Sequence, residues 1–439
     1  MTAFPAYADP AGQQGLQRFP MHVIPAIIVV YTCMLPRELT VSVLGIAFQP
    51  FRIALIAMFP LLALQGLRLQ VRPSLVDFLV VFAAIWAMIA LSVTEWVISA
   101  LKTGLAEGLN FFLAYFAGRV CIRNGRDFKA MIPALIPGLV ICSLIMIAES
   151  FSHTLLLRPT LGRLLNFQAE YFYDERFGLM RGTGPFPHPI LAGVFLASFL
   201  PLVWYLVDRP HKRLLGLLGV GGFIFTLSST GFLAFFAATG LMVANFFQRI
   251  TRMPVFIMLG TVGIVGLVAV SLISEGGLFS FLIRRLTLSS ASGFYRLAIW
   301  QYGGAEVLAH PIFGIGTRDY IRPAWMVSSS VDAHWLLITM RYGFPYSAAV
   351  FLTVLSGVVM SLRGTSSPDE DDRKVGYAMG FSLIAIMFTG LSVFLWEGVE
   401  IWMTLLTGMA VSFGQYAAGW KYYGANPATQ APQYPQRFA

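Results

Sequence analysis

VDFLVVFAAIWAMIALSV, residues 76–93, holds one ionisable side chain, Asp77, near its start and is otherwise apolar. About 20 such residues in a helix cross the roughly 30 Å hydrocarbon layer of a bilayer, and a helix satisfies its own backbone polar groups there. The run therefore reads as a transmembrane helix, and it has companions on both sides. Working outward, we count about twelve: 21–36, 50–67, 76–93, 100–118, 129–149, 188–207, 213–227, 229–247, 253–273, 334–362, 375–396 and 399–418. The tenth is longer than a bilayer requires, so it is expected to tilt or to extend beyond the membrane. Thr40–Phe48 is too short to span and is expected in the interface. With 57% hydrophobic and 12% charged residues and a mean hydropathy of +0.72, a soluble protein of this length is excluded.

Short connections rich in Lys and Arg stay on the cytoplasmic side. An internal N-terminus puts Arg68 and Arg72, the group Arg119, Arg123, Arg126 and Lys129, the group Arg209, Lys212 and Arg213, then Arg249 and Arg252, and Arg363, Arg373 and Lys374 on that side. The expected organisation is a tail over 1–20, helices 1–5 over 21–149, an external loop over 150–187, helices 6–9 over 188–273, a large external loop over 274–333, helices 10–12 over 334–418 and a tail over 419–439. The net charge of +9 is thus mostly topogenic, and nucleic acid is not an expected partner. No cleavable signal peptide or internal repeat is evident, and Cys33, Cys121 and Cys142 are not placed to form a disulfide.

The two long loops depart from that charge rule. They are rich in aromatic residues, Arg and Gly, a composition that favours order, and long ordered loops in compact proteins are usually functional. In RGTGPFPHPILAG (181–193), Gly182 and Gly184 permit backbone angles closed to other residues, and three prolines force a rigid entry into the next helix. Arg181 at that helix start suits a diphosphate, which would meet its guanidinium and free amides; a lipid headgroup is the competing partner. His188 reads as a capping or packing residue. From Tyr295 the second loop reads as a surface helix carrying Arg296 and Trp300, ended by HPIFGIG (310–316) with Arg318 close behind. Guanidinium forks pair with diphosphates and sugar rings stack on aromatic faces, although Arg284, Arg285 and Arg296 also fit an amphipathic helix on anionic lipid. His310 is read as a turn-builder.

At the start of helix 10, VDAHW places Asp332 beside His334, whose imidazole can take a proton near neutral pH. Arg341 follows two helical turns later on the same face. Glu397 and Glu400, one turn apart near Trp396 and Trp402, are candidates to face the same cavity. Glu107 and Asn110 in helix 4 are either functional or a helix-to-helix contact. Asp369 and Asp371 read as a solvated charge run rather than a metal site, and no metal or cofactor is expected.

In order and spacing these motifs resemble the O-antigen ligase and polymerase superfamily of bacterial envelope glycan assembly. RGTGPFPHPILAGVFLA (181–197) is similar to the family's Arg, then Gly-Thr-Phe-x-x-Pro segment. LTLSSASGFYRLAIWQYGGAEVLAHPIFGIGTRDY (286–320) is similar to its Ser-x-x-x-Arg-x-x-x-Trp block ending in His-Pro-Leu-Phe-Gly-x-Gly. VDAHWLLITMRYGFPYS (331–347) is similar to its His-Asn-x-x-Leu helix. Trp335 stands where Asn commonly follows the family His, and LSSTGFLA (227–234) lacks the Arg of the family's Ser-Arg-Gly turn.

The resemblance implies an all-α integral membrane fold of about twelve helices, GT-C-like, with a large loop between helices 9 and 10. It implies a bacterial inner-membrane enzyme with its site facing the periplasm. The expected donor is an undecaprenyl-diphosphate-linked oligosaccharide, and the acceptor is another glycan (polymerase) or lipid A-core (ligase), with other polysaccharide-assembly proteins as further partners. His334 is the expected base, and Arg181, Arg296, Arg318 and Arg341 bind diphosphate. Arg285, Trp300, Asp332, Glu397 and Glu400 are secondary candidates. A flippase or transporter is the alternative class, but it predicts more ionisable residues deep in the helices and fewer aromatics and arginines in the loops.

Overall fold

A computed structural model describes residues 19–43, 46–69, 71–167, 171, 173–251 and 290–419. Among these the chain is predominantly helical: α1 (Ile24–Cys33), α2 (Pro50–Leu69), α3 (Leu75–Thr94), α4 (Val97–Cys121), α5 (Gly125–Ser152), α6 (Leu157–Leu164), α7 (Pro189–Ser198), α8 (Leu200–Leu206), α9 (Pro210–Gly221), α10 (Ser229–Thr251), α11 (Ser290–Ala309), α12 (His334–Arg363), α13 (Glu370–Thr389) and α14 (Gly398–Ala417). Among the described residues six stretches are long and apolar enough to cross a bilayer: Pro50–Leu69, Leu75–Thr94, Gly125–Ser152, Pro189–Leu206, Ser229–Gln248 and His334–Ser366. The chain is an all-α membrane protein.

Helix occupies every apolar run of the sequence except 253–273, which lies outside the described residues. The sixth run is divided at Phe199 into α7 and α8, and three others differ in extent. The first is a short helix, Ile24–Cys33, preceded by a 3-10 turn. The seventh breaks into α9 and a 3-10 turn at Gly222–Thr226. The eleventh ends at Thr389 rather than 396, and the apolar residues beyond it form a packed connection. The interfacial segment is a hairpin, β1 (Val41–Val43) on β2 (Ile46–Phe48). The first long loop holds α6 and a two-residue hairpin, β3 (Glu175–Arg176) on β4 (Leu179–Met180).

Small residues let the helices approach, as expected where apolar side chains gain little by leaving lipid for a helix face. At the crossing of α4 and α14, a Cβ on Gly118 or on Gly408 would come to 2.1 Å from the Leu405 or Tyr115 carbonyl oxygen respectively. The residue after Gly118, buried Arg119, donates to Asp77 from Nε at 2.8 Å and from Nη2 at 3.1 Å, and from Nη1 to Ser412 at 2.9 Å. Asp77 also closes the N-terminal capping box of α3 with Ser74. This arginine, topogenic by position, stitches α3, α4 and α14 together.

Candidate functional site

The site is built around a break in α12. Gly343 adopts φ 79°, ψ 174°, and Pro345 carries no amide hydrogen, so helical bonding fails over this turn. The HPIFGIG loop supplies the missing partners. Ile315 N–H donates to the Met340 carbonyl at 2.7 Å and Gly316 N–H to the Arg341 carbonyl at 3.1 Å, while Phe344 N–H donates to Pro311 at 2.8 Å. The Trp86 indole covers the Tyr342 carbonyl at 3.0 Å. Only glycine fits at 343, because a Cβ there would lie 1.8 Å from the Ile312 oxygen. His310 builds this turn as expected, its carbonyl accepting from Gly314 N–H at 3.1 Å.

The first turn of α12 docks on the connection 390–396. His334 N–H reaches the Gly390 and Val393 carbonyls at 2.8 and 3.0 Å. Trp335 donates its indole N–H to Met387 at 3.0 Å. Trp300 of α11 does the same to Leu391 at 3.1 Å, so this secondary candidate positions a helix. The His334 ring is 1% exposed and stacks on Phe394 at 5.7 Å. Neither ring nitrogen makes a hydrogen bond of good geometry among the described residues, although the Leu395 backbone lies close enough to interact with the ring. Arg341 lies over the same ring, 5.6 Å from its centroid, in the field of Glu107 and Glu400. Phe394 stacks in turn on Trp396 at 5.5 Å, and Trp396 packs against His188 at 6.2 Å. Phe394 is not among the candidates read from the sequence, where the aromatic cluster 394–396 reads as the end of the eleventh apolar run.

A second group lies beyond His188. Arg181 is buried and donates from Nε to the Thr226 carbonyl at 3.1 Å and from Nη1 to Asp174 at 3.0 Å. The expectation of free amides beside it is corrected. Glu149 of α5 accepts from Thr183 N–H at 2.9 Å and Gly184 N–H at 2.8 Å, and Gly182 N–H donates to Phe225 at 3.0 Å. A buried loop cannot leave amides unsatisfied, and the carboxylate inside the bundle meets that need. His188 caps α7 as expected, its Nδ1 accepting from Ile190 N–H at 3.1 Å. Burial, then the Arg181 cation, push its ring down to about 3.

Arg176 and Arg296 complete the group. Burial, then Arg176, with Arg296 adding to it, lower the Arg181 pKa from its usual value, opposed by Asp174. Arg296 is lowered by burial and by Arg176, against Asp332. Among the described residues neither the Arg296 guanidinium nor the Arg341 guanidinium, which lies over Phe394, has a hydrogen bond or an ion pair within 4.0 Å. Arg158 differs: it is saturated by Glu38 at 2.9 and 3.0 Å and by the Pro187 carbonyl at 3.0 Å, fully buried.

Other candidates fall elsewhere. Arg318 is exposed, donates to Ile315 at 3.1 Å and lines a separate cleft with His310. Glu397 and Glu400 have different neighbours: Glu397 lies 3.9 Å from Arg37, whereas Glu400 meets Glu107. Asn110 accepts from Arg52 at 3.0 Å, a helix-to-helix contact. Arg285 lies outside the described residues. Neither the family models nor the curated proteins give a match to the chain.

Proposed function

We propose that the protein is a metal-independent glycosyltransferase of surface polysaccharide biosynthesis, with the O-antigen ligase and polymerase superfamily as its class. On this reading about twelve helices of GT-C-like arrangement sit in a bacterial inner membrane and the site opens to the periplasm. The donor is an undecaprenyl-diphosphate glycan, and the acceptor of a polymerase is a second lipid-linked saccharide. The observation that carries the reading is the convergence of His334 and Arg341 on the ring of Phe394, together with the Arg176, Arg181 and Arg296 group beyond His188.

The acceptor hydroxyl attacks the anomeric carbon as the bond to the diphosphate oxygen breaks, and the leaving electron pair goes to the diphosphate. His334 takes the hydroxyl proton, and a direct displacement inverts the anomeric centre. Cations fixed before the reaction do not have to reorganise as charge develops, an effect worth several kcal/mol. They take the role a divalent ion fills elsewhere. The turn at 227–234 lacks the arginine of the family pattern, and Arg176 reaches it from β3, its Nη1 donating to the Leu227 carbonyl at 3.2 Å.

Substitution separates the roles. Arg296→Gln, Arg341→Gln and His334→Ala should each lower turnover by about 10²-fold or more, with the melting temperature preserved for Arg296→Gln. Arg158→Gln should lose folded protein instead, because it strands Glu38 in the interior. Full turnover in Arg296→Gln and His334→Ala would remove the mechanism.

A further inference from the structure

At the end of the bundle where the short basic connections gather, a cavity of about 530 Å³ opens between α5, α13 and the 207–212 connection. Arg126, Lys129, Arg209 and Lys212 line it with Asp208 and Asp371. Lys129 binds both carboxylates, at 2.8 Å each. The other three cations have no hydrogen bond or ion pair among the described residues, so the wall carries a surplus of two positive charges. A topogenic signal needs basic residues somewhere in each loop; it does not need those of separate loops to face one cavity. The remaining wall is apolar, and it continues along the bundle. From Pro133 in the cavity, Pro137, Ile141 and Leu144 follow at helical spacing on α5, all exposed. They cover about 16 Å of helix length, with exposed Leu215 and Leu218 on neighbouring α9.

We propose that this cavity binds the phosphate headgroup of an anionic lipid, with its acyl or prenyl chain laid along the exposed apolar face of α5 and α9. The shared chemistry is a phosphate oxyanion on guanidinium and ammonium donors. The apolar track favours a lipid-borne phosphate over a soluble one. The site is separate from the proposed transferase centre and stands without it.

The test uses the full chain, delipidated in detergent and returned to neutral-lipid nanodiscs with a trace of phosphatidic acid carrying a photoreactive chain. Cross-linking to α5 or α9 is quantified by peptide mapping. Arg126→Gln/Arg209→Gln should reduce it about tenfold or more. The charge-matched control Arg68→Gln/Arg363→Gln, exposed at the same end, should leave it unchanged. Ala130→Trp fills the cavity with every charge kept and should also abolish labelling. Equal loss in the control pair would show a diffuse surface field and overturn the site, as would retained labelling in both Arg126→Gln/Arg209→Gln and Ala130→Trp. Displacement of the lipid by inorganic diphosphate at matched concentration would overturn the lipid assignment in favour of a soluble phosphate.

Discussion

Replacing Glu149 should loosen the RGTG loop in a graded way. Its carboxylate accepts from Thr183 and Gly184 through Oε2 at 2.9 and 2.8 Å, and from Leu156 through Oε1 at 3.1 Å. Glu149 and both loop residues are fully buried. Each buried amide stripped of its acceptor costs about 1–3 kcal/mol, so Glu149→Ala, which strips the two fully buried amides of Thr183 and Gly184, should cost roughly 2–6 kcal/mol. Glu149→Gln keeps one carbonyl oxygen, which can serve the Thr183–Gly184 pair or Leu156 but not both, so it should lose about half as much. The assay is thermal unfolding of detergent-purified protein, with an expected fall of about 5–10 °C for Ala and an intermediate value for Gln. On the proposed transferase reading, glycan transfer should fall in the same order, since Arg181 rides on this loop. A Glu149→Ala protein that melts within 1 °C of the parent, by ~1 °C reproducibility, would refute the reasoning.

Two further outcomes follow from the same geometry. Gly343→Ala forces a Cβ against the Ile312 carbonyl in a conformation reserved for glycine, so it should cost more than about 3 kcal/mol and abolish monodisperse protein. Gly304→Ala, with nothing within 4 Å of its Cβ position on α11, should be neutral or stabilising by about 0.5–1 kcal/mol; equal behaviour of the two would contradict the clasp. The His188 pKa, pushed down to about 3, makes the folded state bind fewer protons than the unfolded state between that value and the usual 6.5. Stability therefore falls as pH drops below about 6.5, by about 2 kcal/mol at pH 5. His188→Asn keeps a cap acceptor without the titration, and acid melting curves should show a shallower slope; an unchanged slope would place the acid sensitivity elsewhere.

Helices were legible because membrane-length apolar runs admit few other structures. What hydropathy could not show was where an apolar segment stops being helix, as at Thr389, because a packed connection inside a bundle is as apolar as a span. The hub at 390–396 was lost for that reason, and Phe394 with it. Arg181, Arg296, His334 and Arg341 were readable as charge in the wrong place. Their partners were not: Glu149 meets the 181–184 loop across 34 residues of sequence, and Glu38 meets Arg158 across 120. A single sequence carries no signal for such pairs. The Gly343 break could be suspected from Gly-Phe-Pro, but its closure by the 310–316 loop is a long-range fact.

The most direct test of the transferase account is product analysis with the purified protein in lipid vesicles, supplied with an undecaprenyl-diphosphate oligosaccharide and excess EDTA. The account predicts glycan chains longer than the donor unit, with release of undecaprenyl diphosphate and inverted linkage at the new bond. Transfer only when lipid A-core is added would change the assignment to a ligase with the same chemistry. No product with either acceptor, or turnover abolished by EDTA and restored by a divalent cation, would contradict it.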